Sequence, residues 1–184
     1  MRGADGNPHQ VKLGATRVVE LGGRGTAPMG VAPATLDVAP NRDLFVPFEF
    51  PVAELEPGWY AIECDVAVDG SPLTVRPADR FAVPWPRGST RRDHVSVGRS
   101  VQVGDDEVRV ERLECASDST SVAYEGGEAI VSLSADGARL PVLDSTFDPD
   151  TGTGVVTAYP VMKSQHRVAV SIKGAEGPVE IHLP

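Results

Sequence analysis

Apolar and polar residues alternate with a period of two along most of the chain. Between Gly58 and Asp69, the residues Tyr60, Ile62, Cys64, Val66 and Val68 share one phase. Trp59, Ala61, Glu63, Asp65, Ala67 and Asp69 share the other. Successive strand side chains point to opposite faces, so this pattern predicts a strand with one face in a core and one in water. Asp69-Gly70 is a hairpin turn signal, and Leu73 and Val75 then belong to the returning strand. Residues 44–52 repeat the alternation with Leu44, Val46, Phe48, Phe50 and Val52. Pro47 and Pro51 fall on the opposite phase and cannot donate to a ladder, which predicts an edge strand.

Interruptions of the period carry information too. Val11 to Leu21 is apolar but broken at Gly14, which predicts a kinked or bulged first strand. Ala34, Leu36 and Val38 alternate with Thr35 and Asp37, and Phe81, Val83 and Trp85 close the first half. The second half restarts at Val95, Val97, Val101 and Val103, and turns at Gly104-Asp105-Asp106. Val108 and Val110 continue in phase, but the next apolar residues are Leu113 and Cys115. That slip predicts a bulge near Glu111-Arg112. Val122 and Tyr124, then Ala129, Val131 and Leu133, then Leu140 and Val142 extend the series. Val155, Thr157, Tyr159 and Val161 read as one long strand, followed by Val168, Val170 and Ile172, and by Val179, Ile181 and Leu183. No stretch has helical periodicity. Frequent turn signals between short strands predict an all-β chain of two tandem antiparallel β-sandwich domains. The expected division is residues 1–86, a linker at 87–94, and residues 95–184. The segment 84–94 is rich in Pro, Gly and Arg, as linkers often are.

Leu55-Glu56-Pro57-Gly58-Trp59-Tyr60-Ala61-Ile62-Glu63-Cys64 resembles the corner and penultimate strand of bacterial immunoglobulin-like domains. The resemblance implies an immunoglobulin-like fold and carries no activity with it. Tyr60 and Cys64 are four positions apart rather than the two of antibody domains, and no partner cysteine lies upstream. The second half only generally resembles small bacterial sandwich domains.

Composition narrows the function classes. The chain has 184 residues, 41% of them hydrophobic and 23% charged, with a net charge of −9. Such an acidic chain repels nucleic acid and anionic membrane, so neither is an expected partner. No run approaches the roughly 18 apolar residues of a membrane span. The N-terminal residues contain no apolar run of a leader, and the expected location is cytoplasmic. Cys64 and Cys115 fall in different predicted domains and read as buried free thiols.

Residues that could carry chemistry are sparse. Asp148 and Asp150, in the loop Asp148-Pro149-Asp150-Thr151-Gly152, are weak metal candidates, because calcium needs six or more oxygen ligands. Otherwise the segment reads as a hairpin turn. His9, His94, His166 and His182 lack metal-ligand spacing, and there is no nucleophile elbow or phosphate loop. No catalytic residue and no cofactor is expected.

Trp85, Arg87, Arg91, Arg92 and His94 concentrate aromatic and cationic groups in an acidic chain. Trp and Arg are enriched at binding hot spots, so these five and the outward-phase Trp59 are the partner-binding candidates. The competing reading is that Trp85 packs internally and the arginines pair with nearby acids. The function expected is a non-catalytic protein-interaction or structural module, with an unidentified protein partner or a second copy as ligand. One alternative is a small-ligand or carbohydrate-binding accessory domain. Another is an enzyme whose site at the domain interface uses His94 with Asp93.

Overall fold

The computed structural model describes residues 7–23, 26–29, 34–39, 55–75 and 80–184. The edge strand expected at 44–52 lies outside them. Every element described is a strand, and all pairings are antiparallel. No helix in the described residues is long and apolar enough to cross a membrane. The chain divides into two compact units, Met1–Val83 and Pro84–Pro184. The 87–94 stretch expected as a linker is therefore part of the second unit.

In the first unit, β1 (His9–Glu20), β2 (Thr26–Met29), β3 (Ala34–Val38), β4 (Gly58–Val68), β5 (Ser71–Val75) and β6 (Arg80–Val83) form one six-stranded sheet. The long pair β1–β4 is its centre. β3 and then β2 pair with β1, while β6 and then β5 pair with β4. The register of β1 on β4 shifts between Leu13 and Thr16, where the apolar period breaks at Gly14. The extra residue keeps Val11, Leu13, Thr16 and Val18 on one face, opposite Val68, Val66, Cys64 and Ile62. Val11, Leu13, Val38, Cys64 and Val66 form one buried cluster. Val18 and Tyr60 form another, supported by Leu55, Ile62, Phe81 and Val83.

Tyr60 fastens the corner that precedes β4. Its hydroxyl donates to the Glu56 carbonyl at 2.7 Å, and its ring stacks on Phe81 across the sheet at 5.6 Å. This back-bond to the chain a few residues upstream is the geometry of a tyrosine corner. On the opposite face, Arg17 bonds Glu63 at 2.9 Å and Asp65 at 3.1 Å. Such partly buried cross-strand ion pairs contribute about 1 kcal/mol or less each.

The second unit contains β7 (His94–Val103), β8 (Asp106–Cys115), β9 (Thr120–Glu125), β10 (Val131–Ala135), β11 (Ala138–Leu140), β12 (Val142–Asp148), β13 (Thr153–Ala158), β14 (Arg167–Ile172) and β15 (Val179–His182). They form a five-stranded sheet, β12-β13-β9-β8-β7, and a four-stranded sheet, β11-β10-β14-β15. Both sheets contribute to one core, including Val110, Leu113, Val122 and Val156 from the first and Leu133, Val168 and Val170 from the second. Two sheets sharing one core is an arrangement compatible with a β-sandwich.

Local chemistry fixes the turns. Asp69-Gly70 joins β4 to β5, and Asp136-Gly137 joins β10 to β11. All four residues have positive φ, from 46° to 84°, as a two-residue type I′ turn requires. The long strand expected at 155–161 is shorter: β13 ends at Ala158, and Pro160 follows. Val156 and Ala158 face the core, while Val155 is 38% exposed. Proline has no N–H for the ladder, so the chain leaves the sheet and buries Tyr159 and Val161 from a loop. Val161 N–H then donates to the buried Thr120 hydroxyl at 3.1 Å.

Gly154 sits between Tyr124 on β9 and Phe147 on β12. The Tyr124 ring covers the glycine, and a Cβ at Gly154 would lie 2.1 Å from it. Replacing Gly154 by Ala is expected to destabilise the protein by about 1–3 kcal/mol through overpacking. Gly127→Ala adds a methyl where nothing is within contact, and should stay within about 0.5 kcal/mol. Chemical denaturation of the two variants measures both.

Candidate functional site

The bulge in β8 shapes the outer face of the five-stranded sheet. Val108, Val110, Leu113 and Cys115 are buried, and the register on β9 shifts between Val110 and Arg112. The extra residue is Glu111. In a regular strand, residues three apart face opposite sides. The bulge instead leaves both Arg109 and Arg112 exposed, opposite the buried phase.

A second bulge lies in β7, between Ser96 and Arg99. Gly98 has φ of 58°, the left-handed conformation that favours glycine at such bulges. A Cβ there would come within 3.5 Å of the Arg109 guanidinium. Alternation in the sequence conceals this bulge, because Val97 and Val101 are an even number of residues apart.

Two concavities flank β7. On the outer face is a shallow groove of about 730 Å3, with His94 and Arg112 on its β7–β8 side and Glu125 and Thr153 towards β13. Small residues, including Ser96, Gly98 and Ala123, leave it open. Arg109 pairs with Glu111 at 2.9 Å. No ion pair engages Arg112 or His94 among the described residues. The other concavity, about 250 Å3, lies at the seam between β7 and β15, over Val95, Val97 and Ile181. Arg99 crosses that seam and donates to the Glu180 carbonyl at 3.0 Å, and Glu180 pairs with Arg167 at 3.2 Å. Among the described residues, β7 has one strand neighbour, β8, so its other side is a free edge.

Within the second unit, the partner-binding candidates read from the sequence do not gather into one site. Trp59 lies half-buried in β4 of the first unit, and the other five belong to the second. Trp85 packs edge-on against Tyr159 with ring centroids 5.6 Å apart. Arg87 and Arg92 are exposed. Arg91 is 8% exposed and donates to the Gln165 carbonyl at 2.6 Å, the Pro184 carbonyl at 2.7 Å and Asp93 at 3.0 Å. It also contacts His166 Nδ1 at 2.9 Å. Its guanidinium is thereby consumed in tying residues 91–93 to the 165–166 loop and Pro184. Only His94 borders the groove.

The remaining candidates assemble no chemistry. Asp148 closes the β12–β13 turn: one carboxylate oxygen accepts from Asp150 N–H at 3.0 Å and the other from the Thr151 hydroxyl at 2.9 Å. These bonds, the Thr151 hydroxyl foremost, hold its carboxyl below the usual range. The described residues contain no group of three or more His, Cys, Asp or Glu side chains placed to hold a metal. Cys64 and Cys115 are buried free thiols, and burial pushes the Cys115 thiol up, away from the reactive thiolate. Asp93 is engaged by Arg91, while His94 is exposed on the groove rim. Tyr60, Tyr124 and Tyr159 are all buried, so no tyrosine offers a platform for a sugar ring.

Arg99, Arg109 and Arg112 were not singled out by sequence. The signal for the latter two was the phase slip at Glu111, which by itself places both on the outer face.

Arg91→Ala leaves two carbonyls and the Asp93 carboxylate without their donor, at an expected cost of about 2–4 kcal/mol. Arg87→Ala and Arg92→Ala should each stay within about 0.5 kcal/mol, and thermal or urea unfolding separates the cases. Thr151→Ala removes the main bond holding the Asp148 carboxyl down. Its titration, followed by NMR, should move up toward the ordinary value of 3.8. In the unaltered chain the Asp148 bonds contribute above that pH and are lost as pH falls below it.

Compared with known proteins, the chain matches no family model, no curated protein and no solved structure.

Proposed function

We propose that the chain is a non-catalytic protein-interaction module built from immunoglobulin-like sandwich units. In the second unit, β12-β13-β9-β8 and β11-β10-β14-β15 follow the D-E-B-A and C′-C-F-G strand orders of that fold, with β7 added at one edge. The tyrosine corner at Tyr60 supports the same reading for the first unit. Such folds host many functions, so the functional reading rests on the site.

The observation that carries it is the edge of β7 left free among the described residues, with an open concavity on each face. This is a surface for a macromolecular partner rather than an enclosed cleft around reacting groups. The net charge of −9 favours a protein ligand over nucleic acid. Two unpaired thiols suit a reducing, cytoplasmic location.

The test is affinity selection of a displayed random-peptide library on the full chain, with sedimentation analysis of the chain alone. Enrichment of a consensus that binds in solution with micromolar affinity, or a reversible dimer, is the expected result. A strictly monomeric chain that enriches no peptide overturns the reading.

A further inference from the structure

We infer that β7 is a docking edge for an extended segment of another protein in which acidic and apolar residues alternate. This rests on the interaction-module reading and specifies its surface and ligand.

An edge strand directs the N–H and C=O of every second residue away from its one neighbour. A segment laid along β7 satisfies those groups by continuing the ladder, whatever its sequence. Selectivity must then come from side chains, which in an added strand alternate between the two faces of the sheet. Here the two faces differ in chemistry. On the outer face, Arg112 and His94 border the 730 Å3 groove without ion-pair partners among the described residues. Glu111, held by Arg109, and Glu125 also line the groove, so a carboxylate is attracted only close to Arg112. On the inner face, the 250 Å3 seam presents Val95, Val97 and Ile181. Acidic side chains outward and apolar side chains inward therefore fit both concavities from one strand.

The geometry also selects against a second copy of the chain. Long flat edges pair with one another, and a bulge interrupts that pairing. The β7 bulge between Ser96 and Arg99 confines regular pairing to short runs on either side. Two β7 edges paired antiparallel about Arg99 would also bring the two Arg99 guanidinium groups together, placing like charges across the ladder. A short segment of opposite charge meets neither obstacle.

The probe is a short, terminally blocked peptide alternating Glu and Val, added to the isotope-labelled full chain and followed by amide shifts and hydrogen exchange. Slowed exchange confined to 94–103, with shifts there and at Ile181 but no slowed exchange along β12 or β15, is the expected result. A Lys-Val peptide and the Arg112→Glu variant should each weaken binding about tenfold or more through like-charge opposition. Val95→Ser, at a residue that lines the seam and not the groove, should weaken it independently. The folded state of both variants is checked from their unperturbed shifts elsewhere. Binding at another edge, equal binding of both peptides, or protection of β7 that grows with protein concentration alone overturns the β7 assignment. In each of those cases an interaction surface still exists, so the module reading survives. If neither peptide binds, the β7 assignment fails. The library selection then decides separately whether any peptide is recognised.

Discussion

The core of the second unit depends on β8 burying both Val108 and Val110 and, beyond them, Leu113 and Cys115. A strand of strict period two cannot do this, since the second pair is on the wrong phase. One extra residue at Glu111 resolves the conflict between burial and backbone geometry. Leu113 and Val110 each become fully buried, contributions on the order of 1.5–3 kcal/mol apiece relative to exposure. Arg109 and Arg112 emerge together on the outer face as a by-product of that solution. The candidate surface is thus a consequence of how the core is packed, rather than a separate structure added to it.

The same competition between alternation and packing recurs in β1 and at the end of β13. In β1 the bulge after Leu13 keeps Thr16 and Val18 on the face shared with Cys64 and Ile62. At β13 the chain solves it differently, by leaving the sheet before Pro160 and burying Tyr159 and Val161 from a loop. Tyr124 illustrates the reverse relation. Its ring needs space, and the missing side chain at Gly154 supplies it. Close-packed interiors make such pairs of large and absent side chains interdependent.

Charged groups divide into two kinds. Arg91 is buried, and each of its contacts replaces water that the guanidinium has lost. Arg109 and Arg17 form pairs that water still reaches in part, where solvent screens the attraction. In sequence, Arg91 and Arg92 are indistinguishable neighbours. Their roles separate only because one side chain turns toward the Pro184 and Gln165 carbonyls and the other toward water.

Strand class, the Asp-Gly hairpins, the bulges at Gly14 and Glu111 and the inward-facing Tyr60 and Tyr124 were all legible in the sequence. They depend on nearest-neighbour geometry: side-chain alternation, positive φ in turns and the phase of apolar residues. Tertiary structure alone decided which strands are neighbours. It also decided that β7 has a free edge among the described residues, that Arg91 is a buried tie and that Arg112 and His94 border one groove. Those outcomes turn on residues far apart in the chain, such as Arg91 with Pro184 or Arg99 with Glu180. Local alternation sets which face a side chain occupies, but not which distant strand that face will meet.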